Sequence, residues 1–348
     1  LFDFGYTDGF KKTDSKKRPG KKSHFFSEFT KNFKFSDGGN SNFKIKTQEV
    51  SNDKYLKLYK LKSDLIDYNE TILQNSIDFI YEKDDLFFGF NSSIYEYISE
   101  DYPIDKYEYI YPDITINKNL ASNNTFGNLD LETNYQIRKY ETNKFTNFLI
   151  NDLNWNHKIL KNSIFNSKLL GNFKNINYEV KNVDIYKKDT TSELFGAFGY
   201  LSELNLIKDN NNGLHKLSPK VLLRYAPGEM RKEIENGYRL TPLSAFSIDR
   251  LDNEKNFETG LSGTIGFDYS INKNNKDFDF SIAQIINNKE NKKMHSKTSL
   301  DEKLSDIVGE SSLKLNDQSK ISYDFSLDQN YSDINYSDFE TQFNFDPM

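Results

Sequence analysis

The sequence predicts an all-β protein, a large antiparallel transmembrane β-barrel of about 15–17 strands that is incomplete here and can remain an open curved sheet. Three observations predict it. Aromatic residues make up 15% of a chain whose mean hydropathy is only -0.77, with 29 Phe and 22 Tyr against one Trp. Apolar and polar residues alternate with period two along much of the chain. Uninterrupted apolar runs last only a few residues, far short of the ~18–20 that a membrane helix needs. A disordered chain can be as polar, but it does not carry so many aromatics. A sheet with one wet face and one greasy face needs both kinds of residue in equal supply.

The alternation is legible segment by segment. Phe43 and Ile45 alternate with Lys44 and Lys46. Leu129, Leu131, Thr133, Tyr135 and Ile137 alternate with Asp130, Glu132, Asn134, Gln136 and Arg138. Ile321, Tyr323, Phe325 and Leu327 alternate with Ser322, Asp324, Ser326 and Asp328, and Phe339, Thr341, Phe343 and Phe345 with Glu340, Gln342 and Asn344. Successive strand side chains point to opposite faces, whereas a helix would scatter these charges around its circumference. Segments 163–184 and 190–206 are the least regular.

Turn clusters separate the segments: Ser36-Asp37-Gly38-Gly39-Asn40, Asn210-Asn211-Asn212-Gly213 and Asn272-Lys273-Asn274-Asn275. Gly and Asn tolerate the positive φ that tight hairpins demand. Lys11 to Lys22 and Asn287 to Lys303 read as longer charged loops. Short turns at one rim and long loops at the other suit a membrane barrel. Pro219, Pro227, Pro242 and Pro347 are expected at strand starts or in loops, and Pro112 at the first residue of a strand. A soluble sandwich would hide its apolar faces in a shared core, and a solenoid would show a fixed period that is not found.

The remaining chemistry is sparse. The net charge of -6 arises from 46 basic and 52 acidic residues spread along the chain, with no basic stripe to suit nucleic acid. There is no cysteine, so neither disulfides nor thiolate sites form within it. His24, His157, His215 and His295 lack ligand spacing, and no metal or cofactor is called for. Asp84-Asp85 and Asp301-Glu302 are neighbours that would face opposite ways in a strand, so loop solvation is their better reading, with calcium at an acidic loop the alternative. Both ends break off within strand-like patterns, so the chain reads as a fragment.

Ordered motifs then narrow the choice between barrels. They are Gln48-Glu49-Val50-Ser51-Asn52-Asp53-Lys54-Tyr55-Leu56, Tyr109-Ile110-Tyr111-Pro112-Asp113-Ile114 and Lys174-Asn175-Ile176-Asn177-Tyr178. Leu217 to Pro227, Phe246-Ser247-Ile248-Asp249-Arg250, Glu258 to Phe267, Phe280 to Ile286, and Lys303 to Gly309 follow in order. None is specific alone. Their order from about residue 48 to 330 resembles the C-terminal outer-membrane barrel of the LptD (OstA) family of LPS-assembly proteins.

The resemblance implies a bacterial outer-membrane translocon, not an enzyme, that inserts lipopolysaccharide into the outer leaflet. Residues 1–348 would form one partial barrel domain, with an N-terminal periplasmic β-domain and the last barrel strands outside it. The implied partners are lipopolysaccharide, an LptE-like plug lipoprotein, the periplasmic Lpt bridge and outer-membrane lipids. On that reading Asp130, Glu132, Asn134 and Gln136 face the lumen, and Leu129, Leu131 and Tyr135 face lipid. A TonB-dependent receptor or large porin is the alternative transporter; a barrel hydrolase and a surface adhesin are alternatives from other classes.

Overall fold

The computed structural model describes residues 1–348 other than 14–15, 100–104, 162–163, 211–212, 234–238, 252, 274–275, 317 and 345–348, and the side chains of 8–21 and 161 are also outside the description. The strands are β1 (Phe2–Thr13), β2 (Lys16–Lys34), β3 (Asn40–Val50), β4 (Lys62–Ser63), β5 (Ile66–Asp67), β6 (Ile72–Lys83), β7 (Leu86–Tyr97), β8 (Tyr107–Asn123), β9 (Gly127–Tyr140) and β10 (Phe145–Lys161). They continue as β11 (Phe165–Lys181), β12 (Thr191–Leu204), β13 (Leu206–Asn210), β14 (Gly213–Ala226), β15 (Gly260–Lys273), β16 (Lys276–Asn287), β17 (Ile307–Asn316), β18 (Ser319–Leu327) and β19 (Ile334–Phe343). Seventeen belong to one sheet, and β4 and β5 form a separate pair. The class is therefore all-β and antiparallel, as the alternation predicts.

The chain divides into two compact units: one of residues Leu1–Asn119, Leu131–Asn151 and Ile176–Glu193, the other of Leu120–Asp130, Asp152–Asn175 and Leu194–Met348. In the first unit, antiparallel pairs join β1 to β2, β2 to β3, β3 to β6 and β6 to β7. Its connections differ widely in length. The β6–β7 link is Asp84-Asp85, with Asp84 at φ 48, whereas β3 reaches β6 through residues 51–71. That longer connection holds α1 (Tyr55–Tyr59) and folds onto the strands, so that Phe26, Leu56, Ile66, Leu73 and Ile98 form a buried cluster. Gln48 fastens it: its Nε2 donates to Leu65 O at 3.1 Å and its Oε1 accepts from Gln74 N at 2.9 Å.

In the second unit β14 through β19 form an unbroken antiparallel succession. Exposure alternates along β14. Leu222, Arg224 and Ala226 are 0–1% exposed, while Val221, Leu223 and Tyr225 are 44–57% exposed. The register sets Val221 opposite Ile265, Pro219 opposite Phe267 and Leu217 opposite Tyr269, and sets Phe267 and Tyr269 in turn opposite Ile282 and Phe280. One face is thus an almost unbroken apolar field. The opposite face carries Ser218, Lys220, Arg224, Ser262, Thr264, Asp268 and Ser281.

Several local expectations are corrected. Lys11 to Lys22 is not a loop, because β1 and β2 continue through it as a hairpin with Thr13 opposite Lys16. Pro219 lies inside β14, not at its start. Its neighbours pair with β13 up to Leu217 and with β12 from Lys220 onward, so the missing N–H falls where that ladder is broken. Pro112 lies inside β8, where the register with β7 shifts between Asn91 and Ser93, and the bulge absorbs it. Pro242 opens a short helix, α2 (Pro242–Ala245), capped by Thr241, where its missing N–H is not needed. The least regular segments of the sequence hold the strands β11 and β12. Their pattern is obscured because the buried face of β11 includes Asn172 and Lys174. Pro347, Asn211, Asn212, Asn274 and Asn275 lie outside the described residues, although Asn210 opposite Gly213 and Lys273 opposite Lys276 close both tight turns.

Candidate functional site

The described residues of the connection between β14 and β15 (227–259) pack against the polar face of β14. Two buried arginines that share one carboxylate hold it there. Arg224 of β14 donates from Nε to Ile248 O at 2.7 Å and from Nη2 to Glu258 O at 2.6 Å, and its Nη1 lies 3.7 Å from Glu258 Oε2. Arg250, within the connection, reaches Glu258 Oε1 at 3.4 Å and donates to Ser262 Oγ of β15 at 2.7 Å. Both arginines are 1% exposed and Glu258 is 3% exposed. A planar guanidinium can span two carbonyls and a carboxylate at once; an ammonium cannot.

A second anchor stands beside the first. Lys174 of β11, 3% exposed, contacts Asp249 Oδ2 at 2.5 Å and Asp152 Oδ2 of β10 at 3.1 Å. Asn172 donates to Asp152 Oδ1 at 2.5 Å and to Asn154 Oδ1 at 2.8 Å, which keeps Asp152 in place. Phe257 lies under both cations, 5.6 Å from Lys174 Nζ and 5.5 Å from Arg224 Cζ, and stacks on Phe195 of β12 at 6.0 Å. Burial pushes the Asp249 carboxyl above its ordinary range, while the Lys174 ammonium pulls it back. Three cations, Lys174, Arg224 and Arg250, are matched by three anions, Asp152, Asp249 and Glu258. Unmatched, each would cost several kcal/mol to take out of water.

The connection of residues 288–306 packs against the same region. Met230, Leu240, Ala245, Met294 and Leu300 bury themselves against Ala283, Ile285 and Val308 of the sheet. Each fully buried aliphatic among them is worth about 1.5–3 kcal/mol. Polar bonds set the register of this layer. Thr264 Oγ1 donates to Ala245 O at 2.9 Å, and Ser305 Oγ accepts from Ile285 N at 2.9 Å. Asp306 accepts from Ser326 Oγ at 2.6 Å and Asn335 Nδ2 at 2.9 Å.

The quoted motifs converge here. Lys174, Arg224, Asp249, Arg250, Glu258, Ser305 and Asp306 come from five segments scattered along the sequence, and each makes a contact that fastens a connection to the sheet. Sequence reading named the segments but missed this arrangement. The available signal was the pair of buried-type arginines within otherwise strand-like or loop-like text.

The residues expected to line or surround a lumen lie on β9. Strand alternation sets Asp130, Glu132, Asn134 and Gln136 on one face and Leu129, Leu131 and Tyr135 on the other. Asn134 Nδ2 donates to Glu132 Oε1 at 2.9 Å, Gln136 Nε2 to Asp113 Oδ2 at 2.8 Å, and Arg138 Nε approaches Glu108 Oε1 at 2.8 Å. The other face is not wholly apolar, because Thr133 Oγ1 donates to Asn151 Oδ1 at 2.9 Å. None of these residues belongs to the charged cluster around Arg224.

The four histidines sit on separate elements. His24 is bonded to the Tyr55 hydroxyl at 3.1 Å and to Asp3 at 3.2 Å, and His215 to the Tyr269 hydroxyl at 2.9 Å. No helix among the described residues is long and apolar enough to cross a membrane.

Compared with known protein families, residues 22–348 match the family described as LptD: LPS transport system D. No curated protein matches the chain.

Proposed function

The chain belongs to the LptD family, a family of outer-membrane proteins that transport and assemble lipopolysaccharide, and from that premise we propose that it forms part of the conduit wall through which lipopolysaccharide enters the outer leaflet. Residues 1–348 are one partial barrel domain on this reading. The observation that carries it is the two-faced wall of β14–β18. Its apolar face, with Val221, Leu223, Tyr225, Leu261 and Ile265 exposed, suits hydrocarbon, and its opposite face, with Lys220, Asp268 and Ser281 partly exposed, suits a hydrated lumen.

The transport needs no covalent chemistry. Saccharide passes along the wet face, while acyl chains slip between strands where backbone ladders open sideways, a step costly in lipid unless the seam is weak. Asp130, Glu132, Asn134 and Gln136 line the wet face, and Leu129, Leu131 and Tyr135 face lipid. The connections of residues 227–259 and 288–306 narrow the lumen from one rim. An LptE-like lipoprotein fills what remains, and the periplasmic Lpt bridge delivers substrate through an N-terminal domain outside this chain. Depleting the protein tests this reading. Newly made lipopolysaccharide should stop reaching the cell surface and resume on re-expression; unchanged surface delivery would reject it.

A further inference from the structure

A cavity of about 840 Å³ opens where the two connections meet the end of the sheet, lined on one side by Tyr225 and Leu261 and floored by Met230 and Leu300. We propose that it binds the phosphorylated sugar headgroup of a lipid in the adjoining leaflet, whose acyl chains lie along the apolar face of β14 and β15. The proposal rests on the facing assigned above.

Charge selects the ligand. Lys289, Lys292, Lys293 and Lys303 line the cavity together with Glu229, Glu258 and Glu290. Glu229 is occupied by Lys293 at 3.0 Å, and Glu258 by Arg224 and Arg250. Lys289, Lys292 and Lys303 have no carboxylate within salt-bridge distance among the described residues; Glu290, and Glu229 through the charge of Lys289, oppose them only in part. The cavity therefore offers surplus positive charge beside a greasy wall, the combination that captures anionic lipid headgroups.

Size and position select a lipid over a bare anion. The volume is that of a pocket for a molecule of some tens of atoms, far more than one phosphate fills. Gly228 and Gly260, at φ 97 and 138, border it with no atom within 4 Å of where a Cβ would stand, so the backbone itself leaves the mouth open. Tyr225 and Leu261 are directly opposed in the register and continue the row of Leu223 and Ile265. A lipid lying against that row brings its headgroup level with the lysines.

The test is native mass spectrometry of the intact protein purified from outer membranes, titrated with lipid A, with dephosphorylated lipid A and with inorganic phosphate. Lipid A should bind through detergent exchange and the other two should not. Lys289→Gln, Lys292→Gln and Lys303→Gln together should weaken retention on the order of 100-fold. Glu290→Gln should tighten it severalfold, which a purely structural role would not produce. Equal retention by the triple variant, or equal binding of dephosphorylated lipid or of free phosphate, would overturn the proposal. Failure of the facing itself is read separately: the Leu223→Cys variant would then react with water-soluble rather than lipid-soluble maleimide.

Discussion

Lys174 Nζ lies 2.5 Å from Asp249 Oδ2, joining a strand to a loop 75 residues further along the chain, with both groups largely hidden from solvent. Asp152 shares the same ammonium at 3.1 Å, so one cation neutralises two carboxylates, and the rest of the balance comes from Arg224 and Arg250 around Glu258. The contact fastens the 227–259 connection to the wall from one side as Arg224 does from the other.

An asymmetry between the partners follows. Lys174→Met strands two buried carboxylates and should destabilise the seated connection by ~3–5 kcal/mol. Asp249→Asn leaves Lys174 its partner in Asp152 and should cost about 1–2 kcal/mol. Limited proteolysis of membranes checks this: cleavage within residues 227–259 should rise sharply for the first variant and little for the second.

Arg224→Lys keeps the charge but loses the fork that reaches Ile248 O and Glu258 O together. Two buried carbonyls then lack donors, at a cost of about 1–3 kcal/mol each. Amide exchange should accelerate over residues 248–258 in this variant while β16 and β17 stay protected. Uniform acceleration across the sheet would mean that Arg224 serves global folding instead.

The facing of β9 makes opposite demands on adjacent residues. Leu131→Arg should destabilise the barrel by ~2–4 kcal/mol if the residue lies near the bilayer midplane, because charge on the lipid face is costly there. Glu132→Leu, on the other face, should change thermal stability little. Heat-modifiable electrophoretic mobility of the folded barrel reports both. Tolerance of the arginine with intolerance of the leucine would reverse the facing.

The strands were largely legible and the site was not, for physical reasons visible in single residues. Phe267, Tyr269 and Ile271 alternate with Gly266, Asp268 and Ser270, and the pattern alone identifies β15. On β11, Asn172 and Lys174 occupy a buried face, so a period-two reading finds no apolar stripe until Ile176. Whether a charge is buried depends on a partner far away in sequence, here Asp249 for Lys174, and periodicity carries no information about that. The Lys11–Lys22 segment failed differently: its lysines and Gly20 have loop composition, yet its backbone pairs as a hairpin. Pro219 sits inside a strand because the tolerance for proline comes from the gap between β12 and β13, a feature of neighbouring strands that its own sequence does not carry.

The turn between β2 and β3 should be acid-sensitive. Tyr81 hydroxyl donates to Asp37 Oδ2 at 2.7 Å and Gly39 N to Asp37 Oδ1 at 3.0 Å, and these bonds, with Lys83 nearby, hold the Asp37 carboxyl below its ordinary value. A depressed carboxyl stabilises the fold above the unfolded value of 3.8, and that contribution is lost as pH falls through the lower folded value. Titration followed by the Gly39 amide signal should show loosening only below about pH 4, and Asp37→Asn should abolish the transition.

On the proposed function, lipopolysaccharide passes along the polar face of the sheet and not along the apolar face. A photo-reactive amino acid placed at Glu132 or Asp324, and in parallel at Leu131 or Leu223, tests it in living cells. Crosslinks to lipopolysaccharide from Glu132 and Asp324 should appear while new lipopolysaccharide is being made and vanish when its synthesis is stopped. Those from Leu131 and Leu223 should report resident membrane lipid and persist. Synthesis-dependent crosslinks from the apolar face alone, or none from the polar face, would place the path elsewhere.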